Sequence, residues 1–187
     1  MPKHALRRML LECRRKLSAA ERTEFSRVIQ DVFLALPEFA VAQMIALYAP
    51  IHGEVETSQV MAAALASGKE LLYPTVKGHE LDFCRVEGTG DFLPGAYGIP
   101  EPKKSCAAVT PDLADLIVIP GVGFDLAGRR IGYGKGYYDR ALHPFEGSGK
   151  LVGFCYDFQL VDEIVGEPHD VKLDMVITEQ RMVRCRV

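Results

Sequence analysis

Residues 115–122 read DLIVIPGV, and no other stretch limits the fold as strongly. Leu116, Ile117, Val118 and Ile119 stand in a row with no polar residue between them, and Pro120-Gly121 ends the run. A strand with one wet face alternates apolar and polar side chains, so a strand without alternation is covered on both faces. Covering both faces takes two flanking layers, as in parallel α/β sheets. The neighbouring segments fit. MIALYAP (44–50), ELLYPTV (70–76), LDFCRV (81–86) and LVGFCY (151–156) read as strands, with KGHE as the turn between the second and third. DMVITE (174–179) and RMVRCRV (181–187) read as a closing strand pair. TSQVMAAALASG (57–68) reads as a helix with Thr57 as N-cap and Gly68 as C-cap, and YYDRALHPF (137–145) as a short helix.

Two helices stand in front. On a 3.6-residue wheel Leu6, Leu10, Cys13 and Leu17 share one face, with Lys3, Arg7 and Arg14 clustered beside it within roughly 40°. Ser18-Ala-Ala-Glu21 is a capping box that opens a second helix to about Leu36, and Pro37 supports its stop. Residues 88–112 hold four prolines and four glycines and read as a long, mostly irregular loop. No repeat or linker divides the chain, so 1–187 is expected to be one α/β domain around a largely parallel sheet.

A formal charge of −3 argues against a general nucleic-acid binder. The apolar runs are too short to span a bilayer, so no membrane partner is expected. Five cysteines without a C-x-x-C pair fit free thiols in the cytoplasm better than a disulfide framework or a zinc site. The amino-terminal stretch lacks the apolar core and cleavage site of a secretory signal; Arg-rich and amphipathic, it is read as the first helix of the mature protein, with a mitochondrial presequence as the alternative. A monomer is expected. The five histidines show no metal-ligand spacing. His169 beside Asp170 is read as a turn rather than an acid–base pair.

The candidate site is PGVGFDLAGRRIGYGKGYYDR (120–140), which follows the best strand, where ligands gather in such sheets. Closely spaced glycines let a backbone approach a ligand and point N–H groups at it. Arg129, Arg130 and Lys135 add positive charge, and together these features suit phosphate. Asp139 would repel phosphate unless a cation such as Mg²⁺ stands between them. Tyr133, Tyr137 and Tyr138 offer flat faces and hydroxyls to a ring-bearing ligand. The segment is no Walker A loop: Arg129 stands where its first glycine is required, and Gly136 follows Lys135 in place of Ser or Thr. It is no G-x-G-x-x-G either, because the third glycine arrives one residue early.

The segment resembles the signature of the 5-formyltetrahydrofolate cyclo-ligase family. KHALR (3–7), GEVETSQV (53–60) and PHDVKLDMVITE (168–179) resemble further family segments in the same order. The resemblance implies a three-layer α/β/α fold similar to sugar-phosphate isomerases and CoA-transferases. It implies cyclisation of 5-formyltetrahydrofolate to 5,10-methenyltetrahydrofolate, with ATP as co-substrate and Mg²⁺ as cofactor. Lys3 and Arg7 would hold ATP phosphates. Arg130 and Ile131, Gly132, Tyr133, Gly134, Lys135, Gly136, Tyr137 and Tyr138 would wrap the triphosphate and the reacting formyl group, with Lys135 and Arg130 catalytic. Asp139 and Asp174 would bind the metal, and Glu54 the pterin, while Glu56 would cap the helix at Thr57. Many relatives carry Arg where this chain has Tyr133, and others Gly in place of Lys135. Two other readings stand beside this one: a different enzyme on the same scaffold that works without ATP, and a nucleotide- or folate-binding protein without turnover.

Overall fold

The structure, a computed structural model, describes residues 2–95, 100–148, 150–167 and 170–185. Its α-helices are α1 (Lys3–Lys16), α2 (Ala19–Leu34), α3 (Pro37–Val41), α4 (Ser58–Ala66) and α5 (Tyr137–Leu142). Its first strands are β1 (Met44–Ala46), β2 (Glu70–Lys77), β3 (Glu80–Val86), β4 (Phe92–Pro94), β5 (Pro100–Pro102), β6 (Ala108–Val109) and β7 (Leu116–Ile119). They are followed by β8 (Gly123–Asp125), β9 (Arg130–Ile131), β10 (Leu151–Phe154), β11 (Leu160–Val161), β12 (Met175–Ile177) and β13 (Met182–Arg184).

Eight strands form one sheet in the order β13-β12-β10-β7-β1-β2-β3-β6. β12, β10, β7, β1 and β2 run parallel, while β13 and β3 pair antiparallel with their neighbours. β7 lies in the middle, with all four of its residues buried. Its side chains divide by period two. Leu116 and Val118 join Ile29 and Phe33 of α2 and Val60 and Ala64 of α4 in one core. Ile117 and Ile119 join Phe124, Leu142 and Leu173 in the other. The apolar run is thus explained by two covers. One is helical; the other consists of α5 and a small sheet ordered β11-β8-β9. α1 packs Leu6 and Leu10 onto Val122 and Ile131, beside that small sheet. Among the described residues no helix is long and apolar enough to cross a membrane.

Several local details depart from the sequence reading. The Ser18–Glu21 capping box forms in both directions, but Pro37 does more than stop α2: it opens α3 at its first turn. Thr57 stands at the head of α4, yet its hydroxyl donates to the Tyr48 carbonyl. The α4 cap comes from α2 instead, where Gln30 Oε1 accepts from the amides of Gln59 and Val60. Glu56 is therefore not the cap. The stretch 88–112 is also less irregular than expected. β4 and β5 pair antiparallel, and β6 extends the main sheet. Prolines are tolerated on such short edge strands, where the missing N–H faces away from the ladder.

Candidate active site

A cleft of about 750 Å³ opens beyond the carboxyl ends of β1 and β7. Tyr48 and Ala49 follow β1, and Pro120 follows β7, into its floor. One wall is the glycine loop that leaves β9, and the opposite wall comes from Pro74, Val76 and Leu81 of the β2–β3 hairpin. Lys3, Arg7, Glu54 and every residue from Arg130 to Asp139 line the cleft.

The loop has its shape because Gly134 (φ +93°) and Gly136 (φ +65°) take left-handed conformations that a side chain resists. It is braced from outside. Arg7 Nε donates to the Gly132 carbonyl at 2.8 Å. Arg140 donates to the carbonyls of Lys135 (3.1 Å) and His79 (2.7 Å), which ties the loop to the β2–β3 turn. Lys135 at the loop tip is exposed.

Arg130 is buried at the inner end of the loop. Its Nη2 pairs with Asp139 Oδ1 at 2.9 Å, and its guanidinium lies 5.6 Å from the Tyr138 ring centre. Burial pushes this guanidinium down from its ordinary value, with Asp139, Tyr138 and Asp170 pulling the other way; arginine keeps its charge all the same. Its Nε is buried without a partner, a donor that requires an acceptor. Arg129, next along the chain, points the other way and pairs with Asp125 at 3.6 Å. Lys3 Nζ contacts Asp170 at 2.7 Å and Glu167 at 3.5 Å.

Glu54 is buried on the far side of the loop. Its Oε2 accepts from the Ile51 amide at 3.0 Å and its Oε1 from the Tyr133 hydroxyl at 3.1 Å. Burial pushes the Glu54 carboxyl up to about 7, against the Ile51 amide, the Arg14 charge and the Tyr133 hydroxyl, which favour the anion. The Tyr133 hydroxyl in turn accepts from Arg14 Nη2. Burial and the Glu54 charge push that hydroxyl up to about 12, so it stays a donor at neutral pH. Arg14 was not singled out as a site residue. Its signal was its place in the Lys3–Arg7 strip of α1; what hid its role is that the contact partner, Tyr133, lies 119 residues away.

Asp174 must be corrected. It immediately precedes β12, and its Oδ2 accepts from the amide of Leu151, the first residue of β10, at 2.8 Å. Both positions are at the amino ends of parallel strands, opposite the cleft. Asp174 and Asp139 are thus not brought to one metal, and no cluster of three or more metal-ligating side chains exists among the described residues. Asp174→Ala is expected to cost about 1 kcal/mol of stability in urea unfolding while turnover stays within about twofold. A large activity loss at unchanged stability would restore a site role. His169 lies outside the described residues.

A parallel-centred α/β sheet, with a glycine loop, a buried arginine and a buried acid meeting beyond its strand ends, has the arrangement of an enzyme cleft. The 5-formyltetrahydrofolate cyclo-ligase family model matches residues 1–179. The chain belongs to that family. The 5,10-methenyltetrahydrofolate synthetase of Aquifex aeolicus is 38% identical with a TM-score of 0.88, over 100% of this chain and 94% of that one. The synthetase from Mycoplasma pneumoniae is 30% identical with a TM-score of 0.80, over 96% and 99% of the two chains. The 5-formyltetrahydrofolate cyclo-ligase of Mycolicibacterium smegmatis is 29% identical over 185 residues, 96% of this chain and 94% of that one. The fold expectation is met in these structures.

Proposed function

We propose that this chain is an ATP-dependent carbon–nitrogen ligase that closes 5-formyltetrahydrofolate to 5,10-methenyltetrahydrofolate, releasing ADP and phosphate. The formyl oxygen attacks the γ-phosphorus, and the bond to the bridging oxygen of ADP breaks. N5 donates its lone pair and an iminium phosphate results. N10 then attacks the formyl carbon and gives up its proton. The C–O bond breaks last, and phosphate carries the oxygen away. An amide-like oxygen cannot leave until it is phosphorylated, which is why ATP is needed. Phosphoryl transfer requires positioning and charge rather than a protein nucleophile.

The observation that carries this reading is the convergence of the buried Arg130 with Lys3, Arg7 and Lys135 on one cleft. Phosphate oxygens offer acceptors to all four cations. In this reading Lys3, Arg7 and Arg130, with the backbone from Ile131 to Tyr138, hold the triphosphate. Lys3 turns from Asp170 and Glu167 toward it, having three donors to share. Lys135, on its flexible stem, meets the transferring group. Arg130 stabilises the charge that builds there.

Glu54 takes the pterin, since a carboxylate accepts paired N–H bonds from an aminopyrimidine edge. Tyr133 and Tyr137 border the same ligand, with Gly134, Lys135 and Gly136 facing its formyl group. Mg²⁺ fits this site as a companion of ATP, because that ion is held by one or two carboxylates together with phosphates. Asp139 would hold it, directly or through water; Asp174 would not. When bound, the ion spreads the negative charge of the β- and γ-phosphates. The described lining residues all come from one chain, which supports action as a monomer. The five free thiols fit the reducing cytoplasm.

The test needs no second enzyme. Incubation with 5-formyltetrahydrofolate and MgATP is expected to yield the methenyl chromophore and one ADP per turnover. Folded protein that gives no product would overturn the proposal, as would product formation without ATP.

A further inference from the structure

Arg14 has no part in the chemistry above, yet at 2% exposure it is more deeply buried than Arg130 or Lys69. Its Nη1 donates to the Gly121 carbonyl at 3.1 Å and its Nη2 to the Tyr133 hydroxyl. That hydroxyl donates its own hydrogen bond to Glu54 Oε1, while the Ile51 amide donates to Oε2. Each carboxylate oxygen therefore holds one protein donor. A carboxylate has about four acceptor positions, so one remains on each oxygen for a pair of parallel ligand donors.

We infer that Arg14 is a positioning residue for the folate: through the Tyr133 hydroxyl it favours the carboxylate form of Glu54 and fixes its orientation toward the pterin edge. This rests on the reading that Glu54 takes the pterin. A carboxyl group this deeply buried is neutral unless a charge or donors oppose the loss of water. A neutral carboxyl presents an O–H where the pterin presents N–H groups, so donor faces donor. Arg14 is the permanent charge in this chain of bonds, and the hydroxyl fixes which oxygen it acts on. Other groups face Glu54. Tyr48, Tyr138 and Tyr156 surround it, and burial pushes all three hydroxyls up, so they stay neutral through the working range. Arg22 packs near Gly53, and the His52 ring lies 5.9 Å from that of Tyr133.

The test is kcat/KM for 5-formyltetrahydrofolate at saturating MgATP, followed by ADP release from pH 6 to 9. This quantity reports the ionisation of the MgATP-loaded enzyme before folate binds. Arg14→Met and Tyr133→Phe are each expected to move the acid limb up by about one pH unit. Their rates at pH 7 then fall about fivefold, and about tenfold at pH 6, and recover toward pH 9, while KM for MgATP changes by less than about twofold. His52→Asn should leave the limb in place; asparagine suits the φ of +49° at that position. A loss of equal size at every pH, a parallel rise in KM for MgATP, or a limb that moves with His52 would overturn the inference. Tyr133 is 39% exposed, so its phenylalanine variant keeps the test valid if Arg14→Met fails to fold. Glu54→Gln separates the two layers. Wild-type kcat/KM for the folate in that variant would remove the pterin reading itself. A severe loss there, with unshifted limbs in the Arg14 and Tyr133 variants, would remove only the role of Arg14.

Discussion

Arg130→Met is expected to lower kcat/KM for ATP about 10³-fold, the scale seen when one preorganised donor to a developing anion is removed. The same substitution destabilises the fold, and the two effects have separate causes. Arg130 is buried, and Asp139 beside it keeps only a fifth of its side chain exposed. Removing one member of such a pair leaves an uncompensated charge and costs about 3–5 kcal/mol. Arg130→Met/Asp139→Asn removes both charges and should regain most of that stability in urea unfolding. It should not regain turnover, because the guanidinium donors to phosphate and the carboxylate that would hold Mg²⁺ are both gone. Arg130→Lys keeps the charge and should recover part of the stability. It lacks the fork that serves Asp139 with one nitrogen and phosphate with another, so it should remain at least about tenfold slow. A double variant that recovers activity along with stability would reduce Arg130 to a structural partner of Asp139.

How much of this site could be read beforehand depended on how local each cause was. The apolar run at 116–119 and the glycines at 132–136 act over a few bonds, and both were legible. Arg129 and Arg130 show the limit of a local rule. Adjacent residues of an extended chain face opposite sides, so one arginine turns inward, but only the start of β9 at Arg130 and its pairing with β8 decide which. Asp174 follows a rule of strand direction. A residue that precedes a parallel strand stands at its amino end, and sites of this fold form at the other. The short edge strands in 92–109 were hidden by prolines that normally mark loops. Gln30 and Arg14 were out of reach for another reason. Each is an ordinary polar helical residue whose partner, the head of α4 or Tyr133, arrives only when distant segments pack.

Glu54→Gln is expected to reverse sign between its effects on function and on stability. In function it is severe. An amide can accept only one of the two pterin donors and meets the other with its own N–H, so kcat/KM for the folate should fall about 10²- to 10³-fold. In stability it is favourable at high pH. The folded protein holds the Glu54 proton up to about 7, while the unfolded chain releases it at the ordinary carboxylate value of 4.5. Between those values the native state binds more protons than the unfolded one, so rising pH works against folding. The full contribution is lost by about pH 8 and amounts to about 3 kcal/mol. Glutamine does not titrate, so the variant lacks this dependence. Urea unfolding at pH 4.5 and pH 8 should therefore show the difference between variant and wild type moving by about 3 kcal/mol in favour of the variant as pH rises. A difference that stays constant with pH would mean that Glu54 is no raised acid in the free protein. A burial penalty that Arg14 and Tyr133 offset only in part, and that a single substitution would relieve, is the expected mark of a group held for its ligand.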